Sequence, residues 1–251
     1  MADAAGVDRV GVDLERLGKA VRQRGLGTWL SPHTVRDLAT VGSALELARL
    51  FARVNPVHGR TPHEVETVLG AGAQVLMLPM VLDPDDAKRF VDLVGDRALV
   101  VLLVEHADAL RRLDDLLAVA GVGEVHIGLN DLALSLGLPN RWLALAGDLV
   151  ANAGHRVREA GLRFGLGGIG RVDDGDLPIP ADLVYAQYAR TGATAALVSR
   201  SFFRPGEAGA DLTRDIAATR ARLSQWLLRD RTAIEAAHAE LRRRAQLATG
   251  W

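Results

Sequence analysis

From about residue 10 to residue 200, short apolar runs alternate with longer stretches in which apolar residues recur three or four positions apart. The runs cover 10–15, 28–31, 50–55, 74–80, 98–105, 124–130, 163–169 and 196–201. Their apolar character is continuous rather than alternating, which suits parallel strands covered on both faces. The stretches between them read as helices. Residues 61–69 open on Thr61 and Glu64, the Thr-x-x-Glu form of a capping box, with Pro62 at the first helical position. Residues 83–93 open on Asp-Pro-Asp-Asp and so place carboxylates at a helix N-terminus. Residues 107–120 carry leucines at helical spacing, and 148–160 run to Gly161, a candidate C-cap.

Eight strands alternating with helices over 251 residues predict a (β/α)8 TIM barrel with extra C-terminal helices. An open, doubly wound sheet is the structural alternative. The expected division is a barrel over 1–210 and a helical extension over 211–251. The extension is arginine-rich, with Trp226, Leu227 and Leu228 as its expected apolar face. It is read as packing on another subunit of a homo-oligomer or on its own barrel.

Polar residues gather at or just after the C-terminal ends of the apolar runs: Asp13 and Glu15, Ser31 and His33, Arg53 and Asn55, Glu105 and His106, Asn130 and Asp131, Ser199 and Arg200. In a (β/α)8 barrel those ends converge on one face, where active sites are built. Glu105 ends an apolar run, and burying its carboxylate there is costly without a cation or hydrogen bonds. Asp131 reads either as a second ligand or as the N-cap of the helix that follows it. Two oxygen ligands, with water and substrate oxygens completing an octahedron, suit Mg2+ or Mn2+. Arg53 lies within an apolar run and needs a partner, either a substrate oxyanion or an internal salt bridge to Asp13 or Glu15. Gly165, Gly167 and Gly168 permit close backbone approach of a ligand, but the stretch lacks the helix and acidic residue of a dinucleotide fingerprint.

A formal net charge of −1 gives no reason to expect nucleic acid or an acidic membrane as partner. The absence of cysteine excludes disulfides and thiolate-bound zinc and fits a cytoplasmic setting. The first residues lack the basic-then-apolar pattern of a signal peptide, and no apolar run reaches membrane-spanning length. Lysine occurs twice, at Lys19 and Lys88, among 30 lysines and arginines. Lys19 reads either as a binder of a substrate carboxylate or phosphate or as a solvated helix residue.

Five motifs, in order, carry a family resemblance: VDLE (12–15), ARVNP (52–56), GAGAQVLMLPM (70–80), LLVEHADAL (102–110) and HIGLNDLALSLG (126–137). Over most of its length the chain resembles the HpcH/HpaI aldolase and citrate lyase β-subunit family. The resemblance implies a (β/α)8 barrel that binds Mg2+, Mn2+ or a similar ion through Glu105 and Asp131. It implies carbon–carbon cleavage or formation next to a 2-oxo acid such as pyruvate or oxaloacetate, or action on citryl or malyl thioesters. Arg53 matches the family arginine that contacts the substrate carbonyl and stabilises the enolate. Asp13, Glu15, Lys19, Asn55, Gly128, Asn130, Ser199 and Arg200 are the candidate substrate-binding positions. One departure matters. The family's aldolases carry histidine directly after the second acid of the Asp-x-Glu motif, and Arg16 stands there instead. His33 and His106 are the candidate replacements for proton transfer. A barrel that keeps the metal site but lacks catalysis is the alternative that this departure leaves open.

Overall fold

A computed structural model describes residues 2–22, 31–199, 202–203 and 211–248. Among them run seven strands: β1 Arg9–Asp13, β2 Arg49–Arg53, β3 Val75–Leu78, β4 Leu99–Val104, β5 Val122–Ile127, β6 Arg163–Ile169 and β7 Ala195–Val198. The helices are α1 Lys19–Arg22, α2 Val35–Ser43, α3 Thr61–Gly70, α4 Pro84–Val94, α5 Ala107–Arg111, α6 Leu113–Leu117, α7 Leu129–Ser135, α8 Arg141–Ala146, α9 Asp148–Glu159, α10 Ala181–Thr191, α11 Leu212–Leu227 and α12 Arg231–Leu247. The strands follow one another through the sheet in chain order, β1 to β7. Strand β1 pairs with β2, β2 with β3, β3 with β4 and β6 with β7, all in parallel. The chain is thus an α/β fold with a seven-stranded parallel sheet flanked by helices. Residues 28–30 of the expected second strand lie outside the described residues, and Ser31 carries no regular structure.

Contacts divide the chain into two compact units, Ala2–Val125 and His126 onward. In the first, every residue of β3 is buried, as is all of β4 but Leu99, which is what strands covered on both faces require. Helix α4 turns Ala87, Phe90 and Val94 inward, and Asp83 caps it by accepting from the Asp85 amide at 3.0 Å. Arg9 and Glu124 meet through two hydrogen bonds of 2.9 and 2.6 Å, and Glu124 is fully buried. Arg9 lies on β1 and Glu124 on β5, four places along the sheet order. Four steps across a flat sheet are about 19 Å, beyond the combined reach of the two side chains. The sheet of this unit therefore curls so that its first and fifth strands present side chains to each other.

Two helix expectations are corrected here. Thr61 is the first helical residue rather than the cap; Arg60 precedes it with no side-chain cap bond, and the Thr61 hydroxyl accepts from the His58 amide. Glu64 is engaged elsewhere, as described below. The single helix expected over 107–120 breaks at Arg112 into α5 and α6. Leu110, Leu113 and Leu116 are all buried at spacings of three, and a straight α-helix would rotate such a row about 60° per step off its face.

The second unit contains α7 to α12, β6 and β7. The apolar run expected to stay extended to residue 130 ends as a strand at Ile127, because Gly128 caps α7 and Asp131 sits in that helix's first turn. Negative charge is favoured at that position by the exposed amides. Asp131 is therefore not the N-cap. Gly165 on β6 is required by its neighbour, since a Cβ there would meet the His126 ring at 2.2 Å. Helices α11 and α12 pack on their own unit. Leu241 and Ala245 of α12 are fully buried, and Asn140 donates to the carbonyls of Ala245 and Ala248 at 3.0 and 3.1 Å. The inward face of α11 is Asp215, Ile216 and Thr219, not the expected apolar triplet; Trp226 is half-buried with its indole donating to Asp182, and Leu227 and Leu228 are exposed. Among the described residues no helix is long and apolar enough to cross a membrane.

Candidate active site

Four consecutive parallel strands of the first unit deliver polar groups at their C-terminal ends. Asp13 is the last residue of β1 and Arg53 the last of β2, and the sheet register makes them direct partners. The pairing follows from that register: Asp13 accepts from Arg53 Nε at 2.9 Å through Oδ1 and from Arg53 Nη2 at 2.6 Å through Oδ2. Such a fork-on-carboxylate bond fixes the guanidinium plane. Glu15, two residues past β1, lies 3.6 Å from Arg53 Nε through Oε2 and accepts from Arg22 at 2.5 Å through Oε1. Glu105 immediately follows β4 and is 3 % exposed. Its Oε1 accepts from the Met80 amide at 3.0 Å. Met80 holds φ at +50°, the only positive value at a non-glycine residue among those described, so the turn after β3 carries backbone strain where it aims an N–H at this carboxylate.

Lys19 departs from the solvated reading. It is 4 % exposed, and its ammonium lies 2.5 Å from Asp13 Oδ2 and 3.1 Å from Glu15 Oε2. Three cations, Lys19, Arg22 and Arg53, thus surround two acids, with the charge of Glu105 also acting on Arg53. Burial by itself lowers the Arg53 pKa, but the Asp13 hydrogen bonds and the charges of Asp13, Glu15 and Glu105 raise it above its ordinary value. Burial likewise pushes Asp13 up, and the hydrogen bonds and charges of Arg53 and Lys19 more than offset this, bringing its carboxyl from 3.8 down to about 2.

That depression has a consequence for acid stability. The folded pKa lies below the unfolded one, so the Asp13 contribution is fully present above about pH 4 and is lost as pH falls through about 2. The expected size is about 2 kcal/mol. Urea midpoints of the wild type and Asp13→Asn, measured at pH 6 and pH 2.5, test it. The wild type should lose more over that interval, and equal losses would remove Asp13 as the cause.

Asn55 is committed to structure on every polar edge. Its Oδ1 accepts from the amides of Arg16 and Leu17 at 2.8 and 2.9 Å, and its Nδ2 donates to Glu64 at 2.7 Å. Glu64 also accepts from the Asn55 amide and pairs with His58 Nε2 at 3.1 Å. The acid read as half of a capping box therefore braces the turn that carries Glu15. Arg16 extends that brace by donating to the carbonyls of Pro32 and His33 at 3.0 and 2.9 Å. The His33 side chain is exposed. His106 caps α5, its Nδ1 accepting from the Asp108 amide at 3.2 Å.

The remaining candidates belong to the second unit. Gly128 caps α7, Asn130 is half-buried in its first turn, and Asp131 is 8 % exposed. Ser199 follows β7 and donates its amide to Ile169 at 2.8 Å. Arg200 lies outside the described residues. Met80, Glu64 and Arg22 were not singled out from the sequence. Glu64 was visible only as a helix-start acid, and nothing in the order of residues marks Met80 as conformationally unusual.

The HpcH/HpaI aldolase/citrate lyase family profile matches residues 2–172, and the chain belongs to that family. It is 29% identical over 167 residues to the 2-keto-3-deoxy-L-rhamnonate aldolase of Escherichia coli O1:K1 / APEC, a match covering 53% of this chain and 58% of that protein. The chain thus spans less than two thirds of the length of the curated relatives it matches. Its fold is similar to that of an HpcH/HpaI aldolase/citrate lyase family protein from Burkholderia cenocepacia J2315, with 22% identity, a TM-score of 0.60, and coverage of 89% of this chain and 88% of that one. It is also similar to the citrate synthase SbnG, with 20% identity, a TM-score of 0.57, and coverage of 89% and 86%.

Proposed function

We propose that this chain is a divalent-metal-dependent carbon–carbon lyase or aldolase acting through the enolate of a 2-oxo acid of the pyruvate or oxaloacetate type. The observation that carries the reading is Arg53. It is a charged fork held at a strand end by Asp13 and acted on by the charge of buried Glu105. A fixed guanidinium of this kind stabilises negative charge that develops on a carbonyl oxygen, because it needs no reorganisation as the charge forms. Relatives named 2-keto-3-deoxy-L-rhamnonate aldolase support the same class of reaction. The curl of the first unit and the fold likeness support a closed (β/α)8 barrel with extra C-terminal helices; a homo-oligomer in the cytoplasm is the assembly and setting proposed with it.

Glu105 and Asp131 are the residues that would hold the ion. Both are buried carboxylates, the hard oxygen donors that Mg2+ and Mn2+ prefer. Water and substrate oxygens would complete the shell. A bound divalent cation supplies Lewis acidity to the substrate carbonyl. Arg53 holds the charge of the enolate oxygen, and Asp13 holds Arg53 in plane. For proton transfer, His106 is favoured over His33. It directly follows Glu105, and because its Nδ1 accepts from Asp108, its neutral ring carries the proton on Nε2.

Exchange of the pyruvate methyl protons into deuterated water, followed by NMR, tests the proposal. Exchange should vanish with chelator and return on adding Mg2+ or Mn2+ in the wild type, but not return in Glu105→Ala or Asp131→Ala. Exchange that persists in those variants with chelator present sinks the mechanism. Arg16 at the usual histidine position favours a second reading, a non-catalytic member that keeps the ion site. Retained Mn2+ binding with no exchange of any 2-oxo acid would select it.

A further inference from the structure

We infer that Lys19 is a positioning residue for Arg53, one that keeps the guanidinium on its fork with Asp13 and its charge available to a bound anion. The inference rests on the reading that Arg53 faces the substrate oxyanion. Lys19 and Arg53 are held by the same two acids. Asp13 Oδ2 takes Arg53 Nη2 at 2.6 Å and Lys19 Nζ at 2.5 Å. Glu15 Oε2 takes Lys19 Nζ at 3.1 Å and has Arg53 Nε at 3.6 Å, outside a normal hydrogen bond. The order of distances is informative. Lys19 satisfies the Glu15 oxygen that lies nearest to Arg53, and Arg53 stays bidentate on Asp13.

Remove the ammonium and the balance changes in a definite direction. Glu15 is 2 % exposed, so the abandoned oxygen cannot turn to water and must seek another donor. Arg22 already occupies Oε1 at 2.5 Å. Arg53 Nε, 3.6 Å away, is a donor within reach among the described residues, and moving it about 0.6 Å toward Glu15 breaks its alignment with Asp13 Oδ1. The local charge also falls. Asp13, Glu15 and Glu105 would then be matched by Arg53 and Arg22 alone, leaving the cluster net negative where Arg53 is to face a substrate anion. The lysine comes from α1, in the segment that follows Arg16, so the departure at residue 16 and the buried lysine occur within one turn of chain.

Two substitutions separate this role from its rivals. Lys19→Met keeps the stem and deletes the charge, while Lys19→Arg keeps the charge. With Mn2+ present, Lys19→Met should lower kcat for pyruvate proton exchange about tenfold or more while changing KM less than about threefold, and Lys19→Arg should recover most of kcat. A rise in KM with kcat unchanged would make Lys19 a substrate anchor and overturn the inference. A wild type that exchanges no 2-oxo acid would overturn the proposed function. The positioning claim is then decided by a crystal structure of Lys19→Met: Arg53 Nε should lie closer to Glu15 than to Asp13, and an unmoved Arg53 overturns it.

Discussion

Arg9→Met is expected to destabilise the chain by about 3–5 kcal/mol, the usual cost of removing one partner from a buried ion pair. Glu124 is fully buried and loses both guanidinium bonds, 2.9 and 2.6 Å long, in that variant. The reciprocal change, Glu124→Leu, should cost less. The Arg9 side chain keeps 21% of its surface exposed and can turn toward water. The double variant should recover much of the loss, because two apolar side chains of similar volume satisfy each other. Urea unfolding of the four proteins completes a double-mutant cycle. Additive losses would mean that the pair is not coupled, and the inference that β1 and β5 face each other inside a curled sheet would fall with it.

Arg53→Lys is the second large effect, this time on chemistry. The charge is kept, but a lysine cannot reproduce the planar fork on Asp13. The expected result is a fall in kcat for 2-oxo acid proton exchange of about 10²–10³-fold, the range for losing one preorganised donor to a developing oxyanion. If Arg53 served only to bind substrate, KM would rise and kcat would hold. Thermal stability is a useful control. Asp13 and Glu15 retain Lys19, and Glu15 retains Arg22, so Arg53→Lys should unfold close to the wild type. A variant with normal kcat/KM would remove Arg53 from the proposed mechanism.

Element type was legible in the sequence wherever one period dominated. The bounds of β6 are those the apolar run predicts, and the N-terminus of α4 carries the expected carboxylates, with Asp83 as its cap. The reading failed where two signals overlapped. Leu129 extends an apolar run but belongs to a helix, because Gly128 and the first-turn Asp131 favour helix initiation. Side-chain partnerships were less legible, since they depend on register and curl rather than on order. The Asp13–Arg53 pair was one of two open readings, and only the Asp13-to-Arg53 register selects it. Arg9 and Glu124 were overlooked because they sit toward the opposite ends of their strands from the expected chemistry, although a glutamate within an apolar strand was itself a signal. Lys19 stayed open between an anion binder and a solvated residue because a four-residue helix gives no periodicity from which to assign a buried face.

Both units are closed by polar latches between segments distant in sequence. In the first, the latch is Arg9 on Glu124, 115 residues apart; in the second, it is Asn140 on Ala245 and Ala248, 105 and 108 residues apart. A nascent chain leaves the ribosome from its N-terminus, so neither latch can form until almost all of its unit has been synthesised. Each unit would wait with its apolar strands incompletely covered, the condition in which slow, non-local folding exposes surface to aggregation. Synonymous codons that slow elongation well past residue 125, once Glu124 has cleared the ribosomal exit tunnel, would give the first unit time to close before most of the second has emerged.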